Sequence, residues 1–203
     1  QEVYVVTIDD VFDWDKDYHT PRVFLKEEDA IRYIKESYEN INDQCYEYDD
    51  YYYTFDYEEG CCYACIYSDE RWAITHWEIK MDVCEIENVA NNRTDMEKDV
   101  YVVTIGEVVD WDKEYHQPRV FSKEEDAIRY VKESYEEKKD EFDEDRYIFE
   151  YDEGDWGACI YDDGRWTSDH WEILTAKCEV ILKLEDVDMA TFAKISQENE
   201  NIG

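Results

Sequence analysis

Basic residues are scarce in this chain: 21 Lys and Arg stand against 56 Asp and Glu, a formal charge of −35 over 203 residues. Glycine and proline are scarcer still, at six and two. Among so few glycines there is no Gly-rich phosphate loop and no nucleophile elbow, and the H-E-x-x-H metal motif is missing too. No run of 18 apolar residues occurs, so the sequence offers no membrane-spanning helix, and no secretory signal is visible at its start. A surface this anionic repels nucleic-acid backbones and anionic membranes, so the partners it suits are basic. High net charge often accompanies disorder, but 43% hydrophobic and 16% aromatic residues are enough to build cores. Salt adaptation would also explain acidity, yet seven Cys and 19 Tyr do not fit a halophilic composition.

What is present comes twice. VYVVTI at 3–8 returns at 100–105, DWDKDYHTPRVF at 13–24 returns as DWDKEYHQPRVF, and EEDAIRYIKESY at 27–38 returns as EEDAIRYVKESY. After a three-residue deletion the match resumes with ACIY in both copies and with RWAITHWEI against RWTSDHWEI. Residues 1–97 hold 26 acids and 8 bases, and residues 98–203 hold 30 and 13, so the charge divides as −18 and −17. No packed core needs this charge, and its duplication points to a surface that is extended or doubled. A repeat of about 95 residues predicts two small domains, 1–88 and 99–187, with a linker at 89–98. In the tail 188–203, Met189, Phe192 and Ile195 predict a short terminal helix.

Each copy reads as α+β. Residues 3–8 form a β-branched run expected to be a buried strand. The polar segment that follows, ending at Pro21 or Pro118, predicts a long loop pinned by Trp14/Trp111 and Tyr18/Tyr115, then a short extended piece at 22–24. Ala30, Ile31, Ile34 and Tyr38 mark one face of a helix over 27–39. In the second copy Ser122 and Glu125 read as a capping box. Glu28 with Arg32 and Glu125 with Arg129 are i,i+4 pairs on the helix exterior. Beyond the helix the period switches to two, with Tyr147, Phe149 and Tyr151 alternating against Ile148, Glu150 and Asp152. Turns at Gly60 and Gly154 lead to further strands. The expected module is β-(β)-α-β-β-β: a mostly antiparallel sheet of about four strands with one covering helix.

Metal and cofactor sites are not expected. Cys61, Cys62 and Cys65 resemble a cluster, but the second copy puts Asp155 and Trp156 in place of the first two, and zinc needs about four ligands. The thiols then read as small buried hydrophobes, or as disulfides joining Cys65 to Cys84 and Cys159 to Cys178. DWDKDYH at 13–19 starts like a calcium loop but has Tyr18 where the turn glycine belongs. The four histidines also recur as His19/His116 and His76/His170. His76 and Glu78, like His170 and Glu172, fall on one strand face, which suits a hydrogen-bonded pair better than a general acid–base couple.

The charge concentrates after the helix. No Lys or Arg occurs from Glu36 through Glu70, while Asp43, Glu47, Asp49, Asp50, Asp56, Glu58 and Glu59 are acidic. The second copy answers with Asp140, Glu141, Asp143, Glu144 and Asp145, then Glu150, Asp152, Glu153 and Asp155, broken only by Arg146. Tyr48, Tyr51 and Tyr52 sit within the first run and would supply rigid contact area. Carboxylates on one strand face repeat every ~6.7 Å, a step suited to imitating phosphates. The expected function is a cytoplasmic, non-enzymatic inhibitor. It would mimic nucleic-acid charge and block the DNA- or RNA-binding channel of a basic protein, a nuclease or a CRISPR or restriction effector, as in phage or mobile-element counter-defence. It would not bind nucleic acid itself, and pairing of two copies would lengthen the array. The alternative is an immunity-type protein that neutralises a basic toxin or nuclease through specific Tyr and Asp contacts.

Overall fold

The computed structural model describes residues 1–12, 15–45, 53–68, 75–87, 99–109, 112–143, 146–152, 154, 156–162 and 169–182. The protein is mixed α+β, and one order of elements runs twice along it. The first pass is β1 (Glu2–Phe12), β2 (Asp15–Tyr18), β3 (Arg22–Phe24), α1 (Glu27–Cys45), β4 (Tyr53–Tyr57), β5 (Tyr63–Ser68) and β6 (Thr75–Glu87). The second is β7 (Asp99–Val109), β8 (Asp112–Tyr115), β9 (Arg119–Phe121), α2 (Glu124–Lys139), β10 (Tyr147–Glu150), β11 (Gly157–Asp162) and β12 (His170–Ile181).

The two passes do not build separate sheets, as the sequence reading expected. β3 pairs antiparallel with β1 on one side and parallel with β12, from the other pass, on the other. β9 does the same with β7 and β6. Since β1 also pairs with β6 and β7 with β12, the circuit β12-β3-β1-β6-β9-β7 closes into a six-stranded barrel. Its interior holds Val3, Val5, Val23, Val100, Val102 and Val120, together with Cys84, Cys178 and Val180. The reason lies in the β-branched runs of β1 and β7. Val6 and Val103 face a helix while Val5 and Val102 face inward, so both faces of these strands need cover. One pass alone would leave the inner face in water and an unpaired edge at β3. Exchange of short strands removes both problems. Side chains complete the seam: Gln117 Nε2 donates to the Val83 carbonyl at 2.6 Å, and Arg119 Nε to Glu87 at 2.7 Å.

Outside the barrel each helix covers an extension of the sheet. α1 packs Ala30, Tyr33 and Ile34 on Ile66, Trp77 and Ile79, and α2 packs Ala127, Val131 and Tyr135 on Ile160, Trp171 and Ile173. Tyr33, absent from the expected helical face, is buried, whereas Ile31 is only half-buried. The N-cap of α2 is Lys123 rather than the expected Ser122; Lys123 makes no side-chain cap, and three acids in the first turn offset the helix dipole. Arg32 bonds Asp29 at 2.7 Å rather than Glu28, because an aspartate one turn back reaches the guanidinium with fewer rotatable bonds to fix. Arg129 likewise chooses Asp126 at 2.5 Å, with Glu133 at 4.0 Å. The expected long loop after β1 is a hairpin. β2 pairs with residues 9–12 of β1, and backbone ladder bonds outweigh the poor strand propensity of its aspartates on an edge. The expected linker and terminal helix lie outside the described residues.

Candidate functional site

Strand register assembles a pattern that the linear sequence scatters. Asp56 stands opposite Cys65, Cys65 opposite Glu78, and Glu78 opposite Asp9, one row across β4, β5, β6 and β1. The second pass repeats it as Glu150, Cys159, Glu172 and Gly106 across β10, β11, β12 and β7. Residues directly opposite share a face, with strands ~4.8 Å apart. This face is the one turned away from the helices, since the alternate residues Ala64, Ile66, Ala158 and Ile160 pack into the helix-covered cores. It continues inward along β6 and β12 to Cys84 and Cys178 in the barrel.

At the barrel mouth both rows border one cleft of about 1110 Å3. Asp9 and Glu78 line it from the first pass, Glu150, Asp152 and Glu172 from the second. Lys80 is the only Lys or Arg among the described lining residues. The cleft is asymmetric. Gly106 and Gly157 line the second side, where the first pass carries Asp9 and Tyr63. A Cβ at 106 would stand 3.3 Å from Glu172 Oε1, and one at 157 would meet the Ile173 carbonyl at 2.9 Å. Glycine thus opens this wall and leaves Glu172 room.

Histidines organise the neighbouring acids. His76 Nε2 lies 3.2 Å from Glu78 Oε2 and His170 Nε2 3.2 Å from Glu172 Oε2, the intrastrand pairs anticipated from sequence. Below the second row, buried Glu107 receives Lys138 Nζ at 2.8 Å with His116 Nε2 at 3.6 Å. Partial burial works against the Lys138 charge, but hydrogen bonds to Glu107 and Glu141 outweigh it and hold the ammonium above its usual pKa. Three of the thiols on this face are not activated. Burial, then the neighbouring Glu150, pushes Cys159 up to about 11. Burial pushes Cys84 to about 11 and Cys178 to about 12. Cys65, Cys84, Cys159 and Cys178 are free thiols, so the paired disulfides considered above do not form. Cys65 stands opposite Glu78, and Cys84 lies six residues further along β6, ~20 Å away, far beyond disulfide reach.

Of the acids singled out from sequence, nine are described, and all nine are exposed: Asp43, Asp56, Glu58, Glu59, Asp140, Glu141, Asp143, Glu150 and Asp152. Glu59 is tied to Lys35 at 2.8 Å, which holds its carboxyl below the usual value, and Glu141 to Lys138 at 2.7 Å. Asp43, Asp56, Glu58, Asp140, Glu150 and Asp152 make no ion pair with any described residue, although Glu150 accepts from Tyr161 Oη at 2.9 Å. These six form three matched couples in the repeat: Asp43 with Asp140, Asp56 with Glu150, Glu58 with Asp152. Glu47, Tyr48, Asp49, Asp50, Tyr51, Tyr52, Glu144, Asp145, Glu153 and Asp155 lie outside the described residues.

Sequence reasoning missed the cleft and the Glu107–Lys138–His116 contact. One signal was available: Gly106 interrupts an otherwise repeated strand where Asp9 stood. Among the described residues no three His, Cys, Asp or Glu are placed to hold a metal ion, and no helix is long and apolar enough to cross a membrane. A comparison with known protein families, curated proteins and solved structures finds no match for this chain.

Proposed function

We propose that this protein is a non-enzymatic inhibitor whose carboxylates stand in for nucleic-acid phosphates. It would occupy the binding channel of a basic nucleic-acid enzyme, a nuclease or a CRISPR or restriction effector. The observation that carries the reading is the set of three matched carboxylate couples, exposed and without ion pairs to described residues, on a folded scaffold. Glu150 and Asp152 are two residues apart, ~6.7 Å in extended chain, while one DNA strand carries a charge every ~3.4 Å. Carboxylates at that step would match every second phosphate. The cytoplasmic setting belongs to this proposal, because such a target works there.

The test uses a partner recovered on the immobilised protein and measures affinity against salt, with duplex DNA as competitor. A mimic weakens steeply as salt rises and is displaced by DNA. Neutralising all six carboxylates (Asp to Asn, Glu to Gln) should weaken binding about 100-fold, at ~0.5 kcal/mol per exposed charge. Binding that ignores both salt and DNA refutes the proposal. Tyr63 and Tyr67, exposed on β5 at 38% and 37%, favour the immunity-type alternative. Under that reading, Tyr63→Ala and Tyr67→Ala would cost more than the six neutralisations.

A further inference from the structure

We infer that the cleft at the barrel mouth is a binding site for a linear aliphatic polyamine. This goes beyond the inhibitor reading, which rests on the exposed couples. The cleft is bordered by acid rows from two walls, Asp9 and Glu78 on one side and Glu150 and Glu172 on the other. Such a ligand carries ammonium groups at intervals with methylene chain between them. Leu174 and Pro118 line the same space and offer apolar surface to the methylenes.

Three observations separate this from a merely acidic surface. The volume, about 1110 Å3, lies just above the ~300–1,000 Å3 range of small-molecule sites. Glu172 is only 7% exposed, so its attraction to a cation is screened less than that of a surface carboxylate. Gly106 leaves Glu172 open towards the cleft, since a Cβ there would stand 3.3 Å from Glu172 Oε1. A compact metal ion is a poorer fit, because no three metal-ligating groups converge among the described residues. Phosphorylated ligands are repelled by the same carboxylates. The two glycines matter here: with Asp and Tyr in their places, as in the first pass, the wall would be filled.

Calorimetric titration of the whole chain with spermidine in about 150 mM salt tests this, since at that strength exposed charges are screened beyond ~8 Å. The expected result is one saturable site per chain. Glu172→Gln and Glu78→Gln should each weaken it about tenfold, and Gly106→Leu should abolish it. Glu136→Gln, an exposed carboxylate on α2, should leave it unchanged. Circular dichroism confirms that each variant is folded; if Glu172→Gln is not, Glu78→Gln from the opposite wall carries the same reading. Absence of a saturable site overturns the inference, and so does an equal loss in Glu136→Gln, which would mean diffuse charge attraction. Glu150 and Asp152 belong to the exposed couples as well as to the cleft lining, so the variants are placed at Glu172, Glu78 and Gly106, none of which belongs to a couple.

Discussion

Val102→Ala tests whether the two passes of the chain share one core. Val102 is 0% exposed, and it packs with Val3, Val5, Val23 and Cys84 from the first pass as well as Val100 and Val120 from its own. Removing its outer carbons loses about 1.6 kcal/mol of transfer free energy at ~0.8 per buried carbon. The closed barrel cannot collapse fully around the void, so a cavity cost raises the total to about 2 kcal/mol. With a urea slope near 2 kcal/mol per molar, the unfolding midpoint should fall by about 1 M. Amide exchange in β5 and β11, one strand from each pass, should accelerate together, because neither half can retain its barrel strands when the other opens. Two separable transitions with only the second displaced would falsify the shared barrel. So would a midpoint shift below about 0.3 M.

Two further outcomes follow from the same interior. Asp82 has a buried Oδ2 without a partner among the described residues, burial raises its pKa, and the second pass carries Ala176 at the same place. Asp82→Ala should stabilise the protein by about 1 kcal/mol at pH 7 in urea melts. Because the folded-state pKa is raised, the wild-type penalty is present when the carboxyl is charged and disappears as pH falls below its unfolded value, so the advantage of the variant should vanish in acid. Thiol labelling at pH 8 should modify exposed Cys62 readily, while Cys84 and Cys178, held protonated by burial at about 11 and about 12, should react at least 100-fold more slowly until denaturant is added.

Helices and strands were legible because they are local. The 3.6-residue spacing of Ala30, Ile34 and Tyr38 and the period-two pattern around Phe149 each encode one covered face, and both elements form, with α1 running six residues past its expected end to Cys45. The N-cap of α2 falls on Lys123, one residue past the expected Ser122, and three acids in the first turn offset the dipole. The barrel was not legible. Its closure depends on β3 and β9, each three residues long, pairing with strands from the opposite pass. A short Arg-Val-Phe segment carries no mark of which edge it will join. The buried run of β1 hinted at cover on both faces, but not at what supplies it.

The site divides along the same line. Sequence alone determined the excess of negative charge, its doubling, and the placing of His and Glu two residues apart on a strand, since these depend only on composition and side-chain alternation. Tertiary structure decided that Asp9, Asp56, Glu78 and a thiol, spread over some 70 residues, fall in one row, and that its twin borders the same cleft. Register and barrel closure are collective results of many weak pairings. No single segment contains the information that sets them.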